Sequence, residues 1–324
     1  MEQHKCNFSN KKLAIVFPGQ GAQCKGMGLD VLNNNPLFHQ MIEIAEAKTG
    51  LPLEEVITQG DERLHQTRFT QPSLLLAIIL LYEDLLKNYA LPTAVFAGFS
   101  LGEYAALYAS GVVDIAVAFS LINERACATQ RASEQEPGSM AAVLALDNYK
   151  VEEICHRVTS YNNIVTIANY NCPGQTVISG HKDAVAEAGK LCLESGARRV
   201  MPLQVSGAFH SPLMHRARLE FEPLLNAFNF YEPHTPIIMN ATAKPLQFDQ
   251  LKRNMAEQLE APVRWEQTIN LFKETGIQCV LEIGPGTVLA GLVRKTAPDI
   301  DVFSYNKTAD FELLKGWLKN HELI

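Results

Sequence analysis

The 324-residue chain is 47% hydrophobic and 19% charged, enough apolar sequence for one large core with a smaller satellite and far too much for a disordered chain. Its net charge of -7 is interrupted by no basic run longer than the pairs Arg198-Arg199 and Arg294-Lys295, which argues against nucleic acid or an anionic membrane as the main partner. Cysteines at 6, 24, 127, 155, 172, 192 and 279 form no Cys-x-x-Cys pair and suit buried thiols in a reducing compartment rather than a disulfide framework.

The polar start Met1-Glu2-Gln3-His4-Lys5-Cys6 lacks the apolar segment of a signal peptide, so a cytoplasmic location is expected. Residues 13–17 are apolar without alternation and predict a fully buried strand, stopped by Pro18-Gly19-Gln20-Gly21. Helical patterns follow near 36–48 and 71–88. Within the second, the unbroken apolar run 74–82 is too short to cross a bilayer and reads as a buried helix. A strand is predicted at 93–98 and a helix at 114–132. Strands separated by helices indicate an α/β core with a largely parallel sheet.

The rhythm changes after Pro137-Gly138. Strands at 139–146, 164–170, 175–180 and 198–203, with helices at 151–159 and 183–195, give the β-α-β-β-α-β order of a ferredoxin-like unit. The four-residue turn Asn171-Cys172-Pro173-Gly174 breaks the parallel rhythm, so this unit is read as a small domain, 136–205, inserted between two parts of a larger one, 1–135 and 206–324. The larger pattern resumes with a helix at 212–228, a strand at 236–240 and helices at 249–260 and 264–275. It ends with a strand at 279–283, a helix at 288–295, a strand at 301–305 and a terminal helix.

Ser100 sits in Gly98-Phe99-Ser100-Leu101-Gly102, between the strand at 93–98 and a stretch rich in helix formers. A strand, a glycine-tight turn carrying serine and a helix are the setting of a nucleophile elbow, although a packed strand-helix turn reads the same way. The N-H of Leu101, at the start of that helix, is placed to stabilise an oxyanion. His210 lies between a glycine-bearing turn and the helix start Ser211-Pro212. It is read as a fixed imidazole at a domain junction or as a histidine satisfied in the core. No His-Glu-x-x-His is present and His210 and His215 are poorly phased for one helical face, so no metal site is expected. The glycine pairs 19–21 and 284–286 each follow a predicted strand but match no phosphate-binding loop. Both are expected at the carboxyl edge of the sheet, where open α/β folds place their sites. Arg125, in the mainly apolar "AFSLINERACA", is either a surface residue offset by Glu124 or an inward cation that requires an anionic partner. These patterns reach a serine acyl-enzyme of unspecified acyl group.

Seven segments in order, "FPGQGAQCKGMG", "GFSLGEYAAL", "GSMAAVLAL", "ANYNCPGQTVISG", "GAFHSPLM", "QLEAPVRW" and "EIGPGTVLAGL", together resemble the malonyl-CoA:acyl carrier protein transacylases, nearly from end to end. The resemblance implies an α/β-hydrolase-like large domain with an inserted ferredoxin-like small domain. It implies Ser100 as nucleophile, His210 as base, and the backbone N-H groups of Gln20 and Leu101 as the oxyanion hole. Arg125, fifteen residues before Met140, would hold the malonyl carboxylate, and the main-chain carbonyl of Gln258 would orient the histidine. Phe99, Asn169 and Phe209 would line the cleft. Phe99 departs from the histidine usual before the nucleophile and cannot supply its hydrogen bonds. Phe209 resembles the malonyl-selecting members.

The implied reaction uses malonyl-CoA as substrate and a separate acyl carrier protein as partner, whose phosphopantetheine thiol accepts the acyl group. It needs no permanently bound cofactor, and the chain is read as a monomer. Carriers of this class are acidic, so Arg198, Arg199, Lys182 and Arg294 are candidate docking residues, with ordinary solvated surface as the other reading. Two alternatives are an acyl hydrolase clearing polyketide carriers, whose relatives tend to lack the arginine, and a non-enzymatic carrier-binding scaffold. The same chemistry serves fatty-acid and polyketide synthesis.

Overall fold

A computed structural model describes residues 12–324; Cys6 and the polar start of the chain lie outside the described residues. Two sheets organise the fold. The larger contains β1 (Leu13–Phe17), β2 (Thr93–Gly98), β7 (Ile237–Met239), β8 (Lys244–Pro245), β10 (Cys279–Ile283) and β11 (Asp301–Tyr305), in the order β11-β10-β1-β2-β7-β8. The first five strands are parallel and only β8 runs antiparallel, to β7. Every residue of β1, β2 and β10 is buried, as expected of strands covered by helices on both faces.

The smaller sheet contains β3 (Gly138–Leu144), β4 (Val165–Cys172), β5 (Gln175–His181), β6 (Arg199–Pro202) and β9 (Val263–Arg264), in the order β6-β3-β5-β4-β9. The four strands between 138 and 202 pair antiparallel, and the helices Asn148–Val158 and Lys182–Glu194 complete the β-α-β-β-α-β order. The fold is therefore an α/β-hydrolase-like layer with a ferredoxin-like unit inserted between β2 and β7. Two-residue β9 pairs parallel with β4, so a segment far along the chain extends the small sheet.

Three expectations need correction. The helix read from 71 begins earlier, as Thr67–Asn88, with Pro72 inside it. At 22 residues it is long and apolar enough to cross a bilayer, but 83% of its most apolar window is buried within the fold. The helix read over 212–228 is broken into the 3-10 turn Pro212–Met214, the helix His215–Phe221 and the 3-10 turn Glu222–Ala227. Pro223 supplies no N-H to an α-helix and ends the regular segment. Among the described cysteines, 155, 172, 192 and 279 are buried, whereas Cys24 is exposed and Cys127 half-buried.

Candidate active site

Strands β1, β2 and β7 deliver three loops to the carboxyl edge of the large sheet, where residues 18–21, 99–101 and Asn240 meet. Ser100 follows β2 with φ +53°, a conformation that costs a residue with a Cβ. The neighbouring glycines make the turn possible. A Cβ on Gly98 would lie 1.9 Å from the backbone of Gly102, and one on Gly102 would lie 2.2 Å from the Phe17 carbonyl oxygen. Gly98 and Gly102 thus let the turn fold back on the sheet and lift Ser100 above it.

His210 also has positive φ, +56°, and is 4% exposed. Its Nε2 lies 2.7 Å from Ser100 Oγ. Its Nδ1 faces two carbonyl oxygens, Gln258 O at 2.9 Å and Ala261 O at 3.1 Å. Carbonyls only accept, so Nδ1 carries the proton and Nε2 presents its lone pair to the serine hydroxyl. Burial, reinforced by the nearby Arg125 cation and opposed by these two carbonyls, pushes the His210 pKa down to about 4. The imidazole is neutral at physiological pH and ready to accept a proton.

One expected consequence concerns pH. The limb that takes kcat/KM for acylation of the free protein to zero in acid should lie near pH 4, where Nε2 becomes protonated, whereas burial pushes the Glu103 carboxyl up to about 7 and changes only the level above that limb. Stopped-flow acylation across that range checks it; a rate that falls all the way to zero through the ordinary histidine range near ~6.5 contradicts it.

Arg125 is 4% exposed, so it is not the surface arginine that Glu124 could have offset. Its Nη2 donates to Ser100 Oγ at 3.2 Å and to Gln258 Oε1 at 3.1 Å, and its Nη1 donates to Gln71 Oε1 at 2.7 Å. Its Nε has no hydrogen-bond partner among the described residues. The guanidinium therefore touches the candidate nucleophile directly while retaining donor capacity. Among the described residues no protein acceptor takes the backbone N-H of Gln20 or of Leu101, which leaves both available to a developing oxyanion.

A cavity of about 320 Å³ opens between the two sheets. Its lining brings together Gln20, Ser100, Arg125 and His210 with Asn169 and Phe209. The Phe99 ring also faces this space and packs edge-on against Trp265, with centroids 5.5 Å apart at 67°. An apolar ring thus occupies a place where a histidine would offer hydrogen bonds. The 284–286 loop does not line the cavity, and the Gly284 N-H is taken by the Tyr305 carbonyl.

Residues 14–323 match the acyl transferase domain family. The chain is 38% identical over 317 residues to a malonyl CoA-acyl carrier protein transacylase of Staphylococcus aureus (strain MSSA476), covering 95% of this chain and 99% of that one. The chain belongs to the malonyl-CoA:acyl carrier protein transacylase family. Another relative of that name, from Bacillus subtilis (strain 168), is 36% identical over 95% of this chain and 98% of its own. Among solved structures, FabD from Acinetobacter baumannii superposes with a TM-score of 0.91 at 36% identity, over 96% of this chain and 99% of that one. A malonyl-transacylase solved in complex with a type II polyketide synthase acyl-carrier protein superposes with a TM-score of 0.89 at 35% identity, covering 93% and 98%.

Within this transacylase fold, three buried residues at the site escaped the reading of the sequence. Gln71 holds Arg125. Asn240 Oδ1 accepts the Ser100 N-H at 2.6 Å, and its Nδ2 donates to the Gly98 carbonyl at 2.6 Å. Glu103, 1% exposed, accepts from Asn240 and Gln258. The available signal for Glu103 was a lone acid in the otherwise apolar helix Gly102–Ala109.

Proposed function

We propose that this chain transfers a malonyl group from malonyl-CoA to the phosphopantetheine thiol of an acyl carrier protein, through a malonyl ester on Ser100. The observation that carries the reading is a buried arginine within hydrogen-bond reach of a serine that is itself paired with a neutral histidine. His210 Nε2 takes the Ser100 proton as Oγ adds to the thioester carbonyl. The oxyanion is held by the N-H groups of Gln20 and Leu101, each worth about 3 kcal/mol. The intermediate collapses by breaking the carbon-sulfur bond, and the imidazolium returns its proton to the departing CoA sulfur. The carrier thiol then gives its proton to His210 and attacks the ester, and Ser100 leaves with that proton. Carbonyl dipoles from Gln258 and Ala261, not a carboxylate, steady the imidazolium.

Arg125 selects the acyl group. A guanidinium binds a carboxylate with paired charge-assisted hydrogen bonds, so it favours a dicarboxylic half-thioester over neutral acetyl and favours transfer over the hydrolase reading. Phe99, Phe209 and Asn169 form the walls against which the acyl group and the arm would lie. The reading takes the working form to be a cytoplasmic monomer that needs no bound cofactor. It divides the chain into a catalytic part, 1–135 and 206–324, and a small domain, 136–205, with β9 crossing that division to reach β4.

The acidic carrier would meet the cavity mouth. Lys295 Nζ donates to Gln175 Oε1 at 3.1 Å, and the Arg199 guanidinium lies 3.8 Å from Met201 Sδ; Gln175 and Met201 both line the cavity. Arg294 instead donates to the Val302 carbonyl, and Lys182 follows the end of β5 opposite Gln175. Arg198 is exposed beside Arg199. Added salt shortens electrostatic reach from about 10 Å at 0.1 M to about 3 Å at 1 M. The rate of malonyl transfer to a holo carrier protein should therefore fall as salt rises, mainly through KM, while transfer to free pantetheine changes less. Equal salt dependence for the two acceptors removes the docking claim; release of free malonate faster than carrier acylation removes the transferase reading.

A further inference from the structure

We infer that Glu103 is a positioning residue that locks the nucleophile turn to the histidine-holding turn, a role that rests on the Ser100–His210 reading above. Glu103 touches neither reacting group. Each of its carboxylate oxygens takes one donor from a different part of the chain. Oε2 accepts the backbone N-H of Asn240 at 2.6 Å, and Oε1 accepts the Gln258 side-chain Nε2 at 3.1 Å.

Both partners pass the constraint onward to the site. Asn240 clamps the elbow from below, accepting the Ser100 N-H at 2.6 Å and donating to the Gly98 carbonyl at 2.6 Å. Gln258 works on three sides. Its Nε2 also donates to the Ser100 carbonyl at 2.9 Å, its Oε1 accepts from Arg125 Nη2 at 3.1 Å, and its own carbonyl holds His210 Nδ1 at 2.9 Å. One carboxylate therefore fixes the partners of the serine, the histidine and the arginine together. These residues lie far apart in sequence, and the Glu103–Asn240 and Glu103–Gln258 bonds span 137 and 155 positions.

The donor pattern calls for an acid at this position. A carboxylate offers acceptors on both oxygens, whereas a glutamine places an NH₂ group opposite one of the two donors. Glu103→Gln therefore keeps shape and volume but faces a donor with a donor, either at Asn240 or at Gln258. In a buried site that mismatch shifts one turn, and small displacements between reacting groups cost up to about 100-fold in rate. Loss of a positional role loosens the serine-histidine pair for any acyl group. A role limited to neutralising Arg125 would affect only an acyl group that uses the arginine.

The test is rapid-quench intact-mass measurement of Ser100 acylation by malonyl-CoA and by acetyl-CoA in wild type, Glu103→Gln and Glu103→Asp, with melting temperatures recorded for each. In Glu103→Gln, acylation by both thioesters should slow about 10- to 100-fold, with KM for malonyl-CoA changed far less. Glu103→Asp keeps both acceptors on a shorter stem and should recover part of the loss. Loss confined to malonyl-CoA overturns the proposal, as does a lowered melting temperature with wild-type acylation rates at a temperature where the variant is folded. Should Glu103→Gln not fold, Glu103→Asp decides alone: slowing of both thioesters supports the proposal and wild-type rates overturn it. Wild-type acylation is measured in the same experiment, so failure of the underlying serine reading appears separately as no adduct at all.

Discussion

Replacing Arg125 by alanine should lower kcat/KM for malonyl transfer by about two to three and a half orders of magnitude while affecting acetyl transfer far less. The guanidinium is buried, and it reaches Ser100 Oγ, Gln71 and Gln258 from one fixed position. A malonyl carboxylate entering this cavity leaves water and meets that cation. Removing one partner of a buried charged pair costs about 3 to 5 kcal/mol because the other is left uncompensated. At about 1.4 kcal/mol per factor of ten, this corresponds to the stated loss. Acetyl carries no charge and forfeits no ion pair when the cation goes, so selectivity between the two thioesters collapses. Side-by-side kinetics with malonyl-CoA and acetyl-CoA check this. Equal malonyl use by wild type and R125A contradicts the role.

His210→Ala should slow acylation by about 10²- to 10⁴-fold with either thioester, the usual contribution of a positioned general base. Nε2 lies 2.7 Å from Oγ, and the two carbonyls at Nδ1 hold the ring in the tautomer that accepts a proton. No other titratable side chain is within hydrogen-bond distance of Ser100 Oγ among the described residues except Arg125, which only donates. The loss in H210A should therefore be independent of whether the acyl group carries a carboxylate, in contrast to R125A. Comparing the two variants on the same two substrates separates chemistry from selection. A loss in H210A restricted to malonyl-CoA contradicts the assignment.

Much of the fold was readable because it is written in local patterns. β1, β2 and β10 are largely apolar runs bounded by turns, and together with β11 they lie at the predicted positions. The strands and helices between 138 and 202 were readable because each is a short patterned segment and Pro173-Gly174 marks the hairpin that joins β4 to β5. Two-residue β8 and β9 carry no period at all and exist only through their partners. The helix Thr67–Asn88 starts earlier than expected because its first residues are mostly polar, with Thr67, Thr70 and Gln71 buried ahead of Pro72 and the apolar run.

The site divides along the same line. Ser100 has a local signature in its flanking glycines, whereas His210, Arg125 and Gln258 needed a resemblance that joins distant segments. Residue patterns alone left Arg125 open between surface and interior; its burial is decided by Tyr104, whose ring lies 5.6 Å from the guanidinium, and by Gln71 and Gln258. Glu103, Gln71 and Asn240 act through single long-range hydrogen bonds, and no spacing rule encodes those. Phe99 was visible as a departure, but its packing on Trp265 was not.

The central claim is that Ser100 carries the acyl group. Incubation with malonyl-CoA in the absence of an acceptor thiol, followed by intact-mass measurement and peptide mapping, tests it most directly. The wild-type protein should gain one malonyl group on the peptide containing Ser100, and the Ser100→Ala variant should gain none. An equal adduct on S100A, or a carrier malonylated by a wild-type protein that never itself becomes acylated, contradicts the account.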